Sequence, residues 1–177
     1  MVMDLCSGGD LAFHLTRREM FDEGEAMFFM AEVVLAIEYI HSLNVIYRDL
    51  KPENILIDSE GHIKLTDFGL AKENIDFKSN AKSFCGSPAY LAPEMLTDKG
   101  VGRPADIYQM GAVLYELIVG FPPFYTDNIK KLYKNIQTAK LQIPNFISKE
   151  AKDLLSVSLS TQLIGFRKCL IKTQSSG

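Results

Sequence analysis

The spacing of apolar residues predicts a long helix near the start of the chain. Apolar side chains recur every three or four positions from Phe29 to Ile40, which is the repeat of a helix face that contacts a core. Asp22 followed by Glu25 is typical of a helix cap, so we expect the helix to begin there. It should continue to about Leu43. Further apolar residues lie off this face: Met30, Val34 and Leu35. They predict a helix that is deeply buried.

A second long helix is predicted in the segment "ADIYQMGAVLYELIVG". Pro104 suits its first position and Gly120 suits its end. Because the segment is largely apolar, this helix should also be buried. Shorter helices are predicted in "GDLAFHLTRR" and from Asp127 and Ser148, and the periodicity decays after about Ser156.

Two short strands joined by a turn at residues 59–61 are predicted in "ILIDSEGHIKLTD". The opening "MVMDL" is another apolar run, and it indicates a strand that ends at a pair of glycines. Residues 68–93 are irregular and too long for an ordinary connection, which indicates a functional loop. Together these elements predict an α+β fold, mainly helical, in which a small β element carries a polar loop.

The composition is that of a globular protein, and it narrows the possible partners. Of the 177 residues, 47% are hydrophobic and 23% are charged, and the net charge is -3. That charge gives no reason to expect binding to nucleic acid or to an anionic membrane. Cys6, Cys85 and Cys169 lack the spacing of a disulfide framework and predict reduced thiols. No signal peptide or membrane-spanning run is visible, so we expect an intracellular, cytoplasmic protein.

The polar segment "YRDLKPEN" lies between two apolar segments, a position where catalytic groups are often mounted. Oxygen atoms of Asn54 and of the later Asp67 suit Mg²⁺, a cation that usually combines one or two protein ligands with substrate phosphates. Asp49 would then orient and deprotonate a hydroxyl group, and Lys51 would place a positive charge near a phosphoryl group. For any one of these residues a capped turn or a surface acid is the simpler interpretation, but the ordered set favours a catalytic site.

The segment "YRDLKPEN" resembles the catalytic loop of protein kinases, and "DFG" at residues 67–69 and "APE" at residues 92–94 follow in the family's order. The chain resembles a eukaryotic protein kinase and is most similar to the AGC group of serine/threonine kinases. The resemblance implies the large C-terminal lobe of the kinase-like fold over residues 1–156, followed by an atypical tail at residues 157–177. It also implies ATP and Mg²⁺ as cofactors and proteins phosphorylated on Ser or Thr as substrates.

The resemblance assigns catalytic roles to Asp49, Lys51 and Asn54. Asp49 matches the base that accepts the substrate proton, and Lys51 matches the residue that contacts the γ-phosphate and marks serine/threonine kinases. Asn54 and Asp67 match the metal ligands. Supporting positions are implied at Tyr47, Phe68 and Asp106, the last of which should brace the loop by accepting backbone hydrogen bonds.

The segment that opens the chain resembles the hinge that holds adenine. The resemblance implies nucleotide contacts at Met3, Asp4, Cys6, Asp10, Leu56 and Thr66. Met3 would be the gatekeeper, Asp10 would reach the ribose, and Leu56 would lie under the purine. Taken alone, this stretch would be interpreted as an ordinary strand and turn, but its place ahead of the catalytic loop favours the hinge.

Control by phosphorylation is implied by Arg48, which directly precedes the catalytic acid. Ser83 matches the phosphorylated position of the family, and a phosphate there would be held by Arg48 with Lys72 nearby. An upstream activating kinase would then be a partner of this protein.

Substrate contacts are also implied by the resemblance. Ser87 would bridge Asp49 and Lys51 and would shape the surface on which the substrate lies. Three acidic residues match positions at which related kinases recognise arginines: Glu53, Glu116 and Asp10. Together they predict substrates that carry basic residues upstream of the target.

Several features depart from the family pattern. No glycine-rich phosphate loop and no "VAIK"-like strand precede the hinge, so the N-terminal lobe is missing and we expect the chain alone to be inactive. Tyr108 and Gln109 replace the usual Trp and Ser. The arginine that normally pairs with the equivalent of Glu94 has Arg167 as its only candidate.

Two other functions stay open at this point. A kinase-like lobe without catalysis would dock substrates or regulate a full-length relative, which the missing lobe favours and the intact Asp49, Asn54 and Asp67 disfavour. A phosphate-binding metalloprotein unrelated to kinases has little support. Three histidines without ligand spacing are interpreted as structural: His14, His41 and His62.

Overall fold

The computed structural model describes residues 5–73, 86–97 and 101–160. Its helices are α1 (Leu11–Arg18), α2 (Glu23–Ser42), α3 (Arg103–Val119), α4 (Ile129–Thr138) and α5 (Lys149–Ser158), and its strands are β1 (Ile55–Ile57) and β2 (Ile63–Leu65). The predicted α+β, mainly helical fold is confirmed for this part of the chain. Residues 1–4 of the predicted opening strand and residues 161–177 of the predicted tail lie outside the described residues.

Helix α2 begins at the predicted cap but is buried on one face only. Asp22 Oδ1 accepts a hydrogen bond from the Glu25 N–H at 2.9 Å, as a helix cap requires. On the outer face, however, Val34 is 40% exposed and Leu35 is 65% exposed. The prediction of a deeply buried helix is wrong: α2 is buried along the face that contains Val33 and Ile37, and α3 and β2 are among the described elements that it contacts. Neither α2 nor any other helix in the described ranges is long and apolar enough to cross a membrane.

Helix α3 forms the centre of the core. It contacts α2 and α5, and from Ala105 to its end it is buried except at Ile107. The helix begins one residue before Pro104 and is ended by Gly120, whose φ of 93° lies in the left-handed region. A Cβ atom at residue 120 would lie 2.6 Å from the carbonyl oxygen of Glu19, so this turn requires glycine.

The two C-terminal helices begin at side-chain caps. Asn128 accepts a hydrogen bond from the Lys131 N–H at 3.0 Å, so α4 is capped by Asn128 and not by the predicted Asp127. Ser148 caps α5 as predicted, by accepting from the backbone N–H of residue 151 at 3.1 Å. The carboxylate of Glu23 accepts the Ser148 N–H at 3.0 Å, which ties the start of α5 to the start of α2. The hydrogen bonds that the Glu23 carboxylate accepts from the Ser148 hydroxyl and N–H lower the pKa of Glu23.

The β element is an antiparallel hairpin that connects the site to α1. Its register pairs Leu56 with Lys64, and the turn lies at the predicted residues, where Asp58 accepts hydrogen bonds from the N–H groups of residues 60 and 62. A further bridge joins Leu56 to Asp10, just before α1. Because the polar loop leads into β1 and Asp67 follows β2, the hairpin brings these two parts of the sequence together.

Candidate active site

The loop at residues 47–54 is held by a carboxylate from the core helix. Asp106 is fully buried and accepts hydrogen bonds from the N–H groups of Tyr47 at 2.9 Å and Arg48 at 2.7 Å. His41 Nε2 lies 2.7 Å from the same carboxylate. Arg48 has a φ of 71°, a backbone conformation that a residue with a side chain keeps only when its surroundings hold it. The structure therefore places Asp106 where a brace for the loop was predicted.

Asp49 lies at the centre of a polar cluster and is 5% exposed. Its Oδ1 accepts hydrogen bonds from the N–H and the hydroxyl of Ser87, each at 3.1 Å. Its Oδ2 lies 3.0 Å from Lys51 Nζ and 3.2 Å from Asn54 Nδ2. Lys51 Nζ also donates to Ser87 Oγ at 2.9 Å. Because both carboxylate oxygens are held, the direction of the carboxylate is fixed before a substrate arrives.

The two predicted metal ligands lie close together beside the hairpin. The N–H of Thr66, the neighbour of Asp67, donates to the carbonyl oxygen of Asn54 at 3.0 Å. Asn54 Nδ2 donates to two oxygens of Asp49, which leaves the amide oxygen of Asn54 for a cation. Asp67 is exposed, and its Oδ1 accepts the Gly69 N–H at 3.2 Å. A carboxylate and an amide oxygen are hard donors, so this pair fits Mg²⁺.

An aromatic pair links the polar loop to the segment that carries Asp67. The rings of Tyr47 and Phe68 meet edge to face, with centroids 5.2 Å apart. Tyr47 is fully buried, and its hydroxyl donates to the carbonyl oxygen of Thr66. Burial, together with the nearby carboxylate of Asp49, raises the pKa of Tyr47, so the phenol stays a neutral donor.

The residues predicted to contact ATP are only partly described. Two of them lie outside the described residues: Met3 and Asp4. Cys6, Leu56 and Thr66 are partly buried. The Asp10 side chain caps α1, because its Oδ1 accepts the Phe13 N–H at 2.7 Å. The carboxylate that was predicted to reach a ribose therefore already has a partner within its own helix.

The predicted regulatory residues divide between the described and the undescribed parts of the chain. Ser83 lies outside the described residues. Arg48 is 6% exposed, and its Nε donates to the Leu70 carbonyl oxygen at 2.7 Å. The exposed Lys72 forms a two-way backbone bridge with Ile46, at 3.0 and 2.9 Å. This bridge ties the segment after Asp67 to the residue two positions before Arg48.

The predicted substrate residue Glu116 lies in a nearly closed environment. It is 9% exposed, and its Oε2 accepts the Tyr90 hydroxyl at 2.5 Å. Burial raises the pKa of Glu116 to about 7 in spite of the Tyr90 hydrogen bond, and the carboxylate of the exposed Glu53 adds to the rise. The Glu116 carboxyl is therefore shaped first by its burial and only secondarily by Glu53. The sequence contained no signal for Tyr90.

Gln109 is a residue of the site that sequence interpretation noticed only as a departure from the family pattern. It is fully buried. Its Oε1 accepts the Leu50 N–H at 3.2 Å, and its Nε2 donates to the Arg48 carbonyl oxygen at 2.9 Å. The sequence did contain a signal for Gln109, namely a carboxamide within an apolar helix. A buried amide group needs hydrogen-bond partners, so such a residue indicates a specific polar contact.

Two buried polar atoms, one of them on α3 next to Gln109, have no hydrogen-bond partner among the described residues. They are Oε1 of Glu94 and the hydroxyl of Tyr108. Burial raises the pKa of Glu94, and burial together with the Glu94 carboxylate raises the pKa of Tyr108. Arg167, the candidate partner of Glu94, lies outside the described residues.

The sequence of the chain matches a known family. Residues 1–172 match the family model described as the protein kinase domain. Since this match covers nearly all of the chain, the chain belongs to the protein kinase family. The resemblance inferred from the three motifs is therefore confirmed.

Curated relatives narrow the similarity to one kind of kinase. Over 154 residues the chain is 51% identical to the serine/threonine-protein kinase Sgk1 of Homo sapiens, a match that covers 87% of this chain and 36% of the relative. It is 49% identical to Sgk1 of Danio rerio over 168 residues, which cover 93% of this chain and 39% of the relative. The predicted similarity to serine/threonine kinases of the AGC group is confirmed. The chain spans less than two fifths of the length of these relatives.

Proposed function

We propose that this chain carries the catalytic residues of an enzyme that transfers the γ-phosphoryl group of ATP to Ser or Thr hydroxyls of proteins. The observation that carries the proposal is the cluster around Asp49, in which Ser87 holds one carboxylate oxygen and Lys51 and Asn54 hold the other. Asn54 and Asp67 would hold the metal. When bound with ATP, Mg²⁺ neutralises charge on the phosphate oxygens.

The residues of this chain would act by positioning and by charge. Asp49 accepts a hydrogen bond from the substrate hydroxyl, aligns it, and takes up its proton during transfer. Lys51 brings a positive charge to the phosphoryl oxygens from a position 3.0 Å from the Asp49 carboxylate. Ser87 bonds to both side chains and holds them relative to each other. Little rearrangement would then be needed at the moment of reaction.

The proposed substrates carry basic residues upstream of the target Ser or Thr. Support comes from Glu116: burial raises its pKa, the carboxylate of the exposed Glu53 adds to the rise, and a cationic side chain nearby would favour the ionised form of Glu116. An arginine is favoured there, because its planar guanidinium group can bond to a carboxylate through two N–H groups.

We also propose that phosphorylation of Ser83 by an upstream kinase activates the enzyme. The support is the buried Arg48, whose side chain is held by a hydrogen bond to the Leu70 carbonyl oxygen. Arg48 also lies two residues after Ile46, which forms a backbone bridge with Lys72. A phosphate brings about -1.5 to -2 charges at neutral pH, which suits a buried guanidinium. The Ser83→Ala variant should resist activation, and equal activity of phosphorylated and unphosphorylated protein would contradict the proposal.

The test of function joins the part of human Sgk1 that precedes its aligned region to residues 1–177. The joined protein is given Mg²⁺, ATP and one arginine-containing peptide in serine and tyrosine versions. We expect the serine peptide to be phosphorylated preferentially, and we expect residues 1–177 alone to be inactive, because the 177 residues contain no glycine-rich phosphate loop. A preference for tyrosine would contradict the proposal.

The same experiment distinguishes a second candidate function. This second function is that of a kinase-like lobe that docks substrates or regulates a relative. That function predicts that the joined protein binds the serine peptide without phosphorylating it. Serine phosphorylation that requires Asp49 would exclude it.

A further inference from the structure

Gln109 contacts both peptide groups that flank Asp49. Its Nε2 donates at 2.9 Å to the Arg48 carbonyl oxygen, which belongs to the peptide group before Asp49. Its Oε1 accepts at 3.2 Å from the Leu50 N–H, which belongs to the peptide group after Asp49. Holding the peptide groups on both sides of one Cα restricts both backbone dihedrals of that residue. The Gln109 side chain therefore limits the directions in which the Asp49 side chain can leave the backbone.

The chemistry of the contact suits a carboxamide. One peptide group presents an acceptor and the other presents a donor, and a Gln side chain offers an uncharged donor and acceptor side by side. Gln109 is fully buried, so an apolar side chain at this position would leave the Arg48 carbonyl and the Leu50 N–H without partners. The residue is thus matched to its two partners by hydrogen bonding as well as by volume.

Gln109 completes a pair of supports that α3 provides. Asp106, three residues earlier on the same helix, accepts the N–H groups of Tyr47 and Arg48. Residues three apart on a helix lie on the same face, and here the two side chains take consecutive parts of the loop. Gln109 Nε2 also lies 4.0 Å from the sulfur of Met95. The carboxamide thus lies between the catalytic loop and the segment at residues 93–96.

We infer that Gln109 is a positioning residue that sets the backbone conformation of Asp49 through the peptide groups on either side of it. Its consequence for phosphoryl transfer rests on the function proposed above for Asp49. The contact itself is independent of that function, so it is tested by a measurement that needs no activity.

The experiment measures hydrogen exchange of backbone amides by NMR in the 177-residue chain. Gln109→Met keeps most of the volume but removes the donor and the acceptor. Gln109→Glu keeps the acceptor for the Leu50 N–H. Gln137→Met makes the same change at an exposed position of α4 and serves as the matched control.

In Gln109→Met we expect the Leu50 amide to exchange about tenfold faster, the rate change that corresponds to losing one buried hydrogen bond. The Cα and Cβ shifts of Asp49, which report its backbone dihedrals, should move as well. In Gln109→Glu the Leu50 exchange rate should stay close to that of the wild type. In the control, neither the Leu50 rate nor the Asp49 shifts should change.

Two results would overturn the inference. One is a Leu50 exchange rate that is the same in the wild type and in Gln109→Met. The other is acceleration spread evenly over α3 and the loop, which would show that Gln109 only fills the core. If Gln109→Met does not fold, the comparison uses Gln109→Ser, whose hydroxyl is too short to reach either peptide group, and the same two results count against the inference. Neither result depends on kinase activity, so a failure of the proposed function would leave this test of the contact unchanged.

Discussion

The Ser87 hydroxyl and the Ser87 N–H both donate to Oδ1 of Asp49, each at 3.1 Å. The two residues are 38 positions apart. This pair of hydrogen bonds therefore joins the segment before "APE" to the loop at residues 47–54. A side chain at Gly86 would be strained, because its φ of 109° lies in the left-handed region and a Cβ atom there would lie 3.1 Å from the Arg48 carbonyl oxygen. The carboxylate proposed as the base is therefore held by a part of the chain that lies far from it in the sequence.

The first prediction concerns the brace of the loop. Asp106→Asn should lower the free energy of unfolding by about 1–3 kcal/mol, because an amide cannot accept the Tyr47 and Arg48 N–H groups as the carboxylate does. Urea denaturation measures the change. Asp153→Asn, at an exposed position of α5, is the control and should stay within about 0.5 kcal/mol of the wild type. Equal stability of the two variants would contradict this account of Asp106.

The second prediction concerns the unpaired phenol in the core. Tyr108→Phe should raise the free energy of unfolding by about 1–2 kcal/mol, because it removes a buried hydroxyl without a partner among the described residues. Tyr115→Phe is the matched control on the same helix. It removes a hydroxyl that donates to Gln142 O at 2.8 Å and should lower stability by about 0.5–1.5 kcal/mol. A loss of stability in Tyr108→Phe would show that its hydroxyl has a partner.

The third prediction concerns pH. Burial raises the pKa of Glu116 from its ordinary value of 4.5 to about 7. Between these two values the folded protein binds more protons at this residue than the unfolded chain does, so the Glu116 contribution to stability falls as pH rises. It is fully present below about pH 4.5 and lost above about pH 7.

Glu116→Gln removes this titration. The stability of the variant relative to the wild type should therefore increase from pH 4.5 to 7 and then stay level, as measured by denaturation at a series of pH values. Glu150→Gln, at an exposed position of α5, should show no such trend. A constant difference between Glu116→Gln and the wild type across this range would mean that Glu116 is ionised throughout.

Local signals in the sequence were enough to predict most of the helices and the hairpin. Asp22 and Ser148 cap helices where their sequence context predicts it, since a cap bonds to an N–H three residues away. The exposed outer face of α2 could not be predicted in this way, because periodicity does not show what packs against a helix. Gln109 bonds to Leu50 across 59 positions, a contact that no local pattern encodes.

The polar cluster around Asp49 was predictable for a different reason. Asp49, Lys51 and Asn54 lie within one short segment, and the family's motif order assigned their roles. The structure adds how they are oriented: Asn54 Nδ2 bonds to Asp49, and Lys51 Nζ contacts both Asp49 and Ser87. The hydrogen-bond partners that α3 and the segment at residues 86–97 supply to this loop depend on the fold. The sequence predicted two of them, Asp106 and Ser87, but not Gln109.

The central claim is that Asp49 takes up the substrate proton. The most direct test is the Asp49→Asn variant, made in the protein that joins residues 1–177 to the preceding part of human Sgk1. Asparagine has nearly the same shape but cannot take up a proton. The account predicts that kcat for the serine peptide falls about 10²–10⁴-fold, while KM for ATP stays unchanged and Asp153→Asn behaves like the wild type. A kcat for Asp49→Asn within about twofold of the wild type, far below the effect of losing a positioned base, would contradict the account.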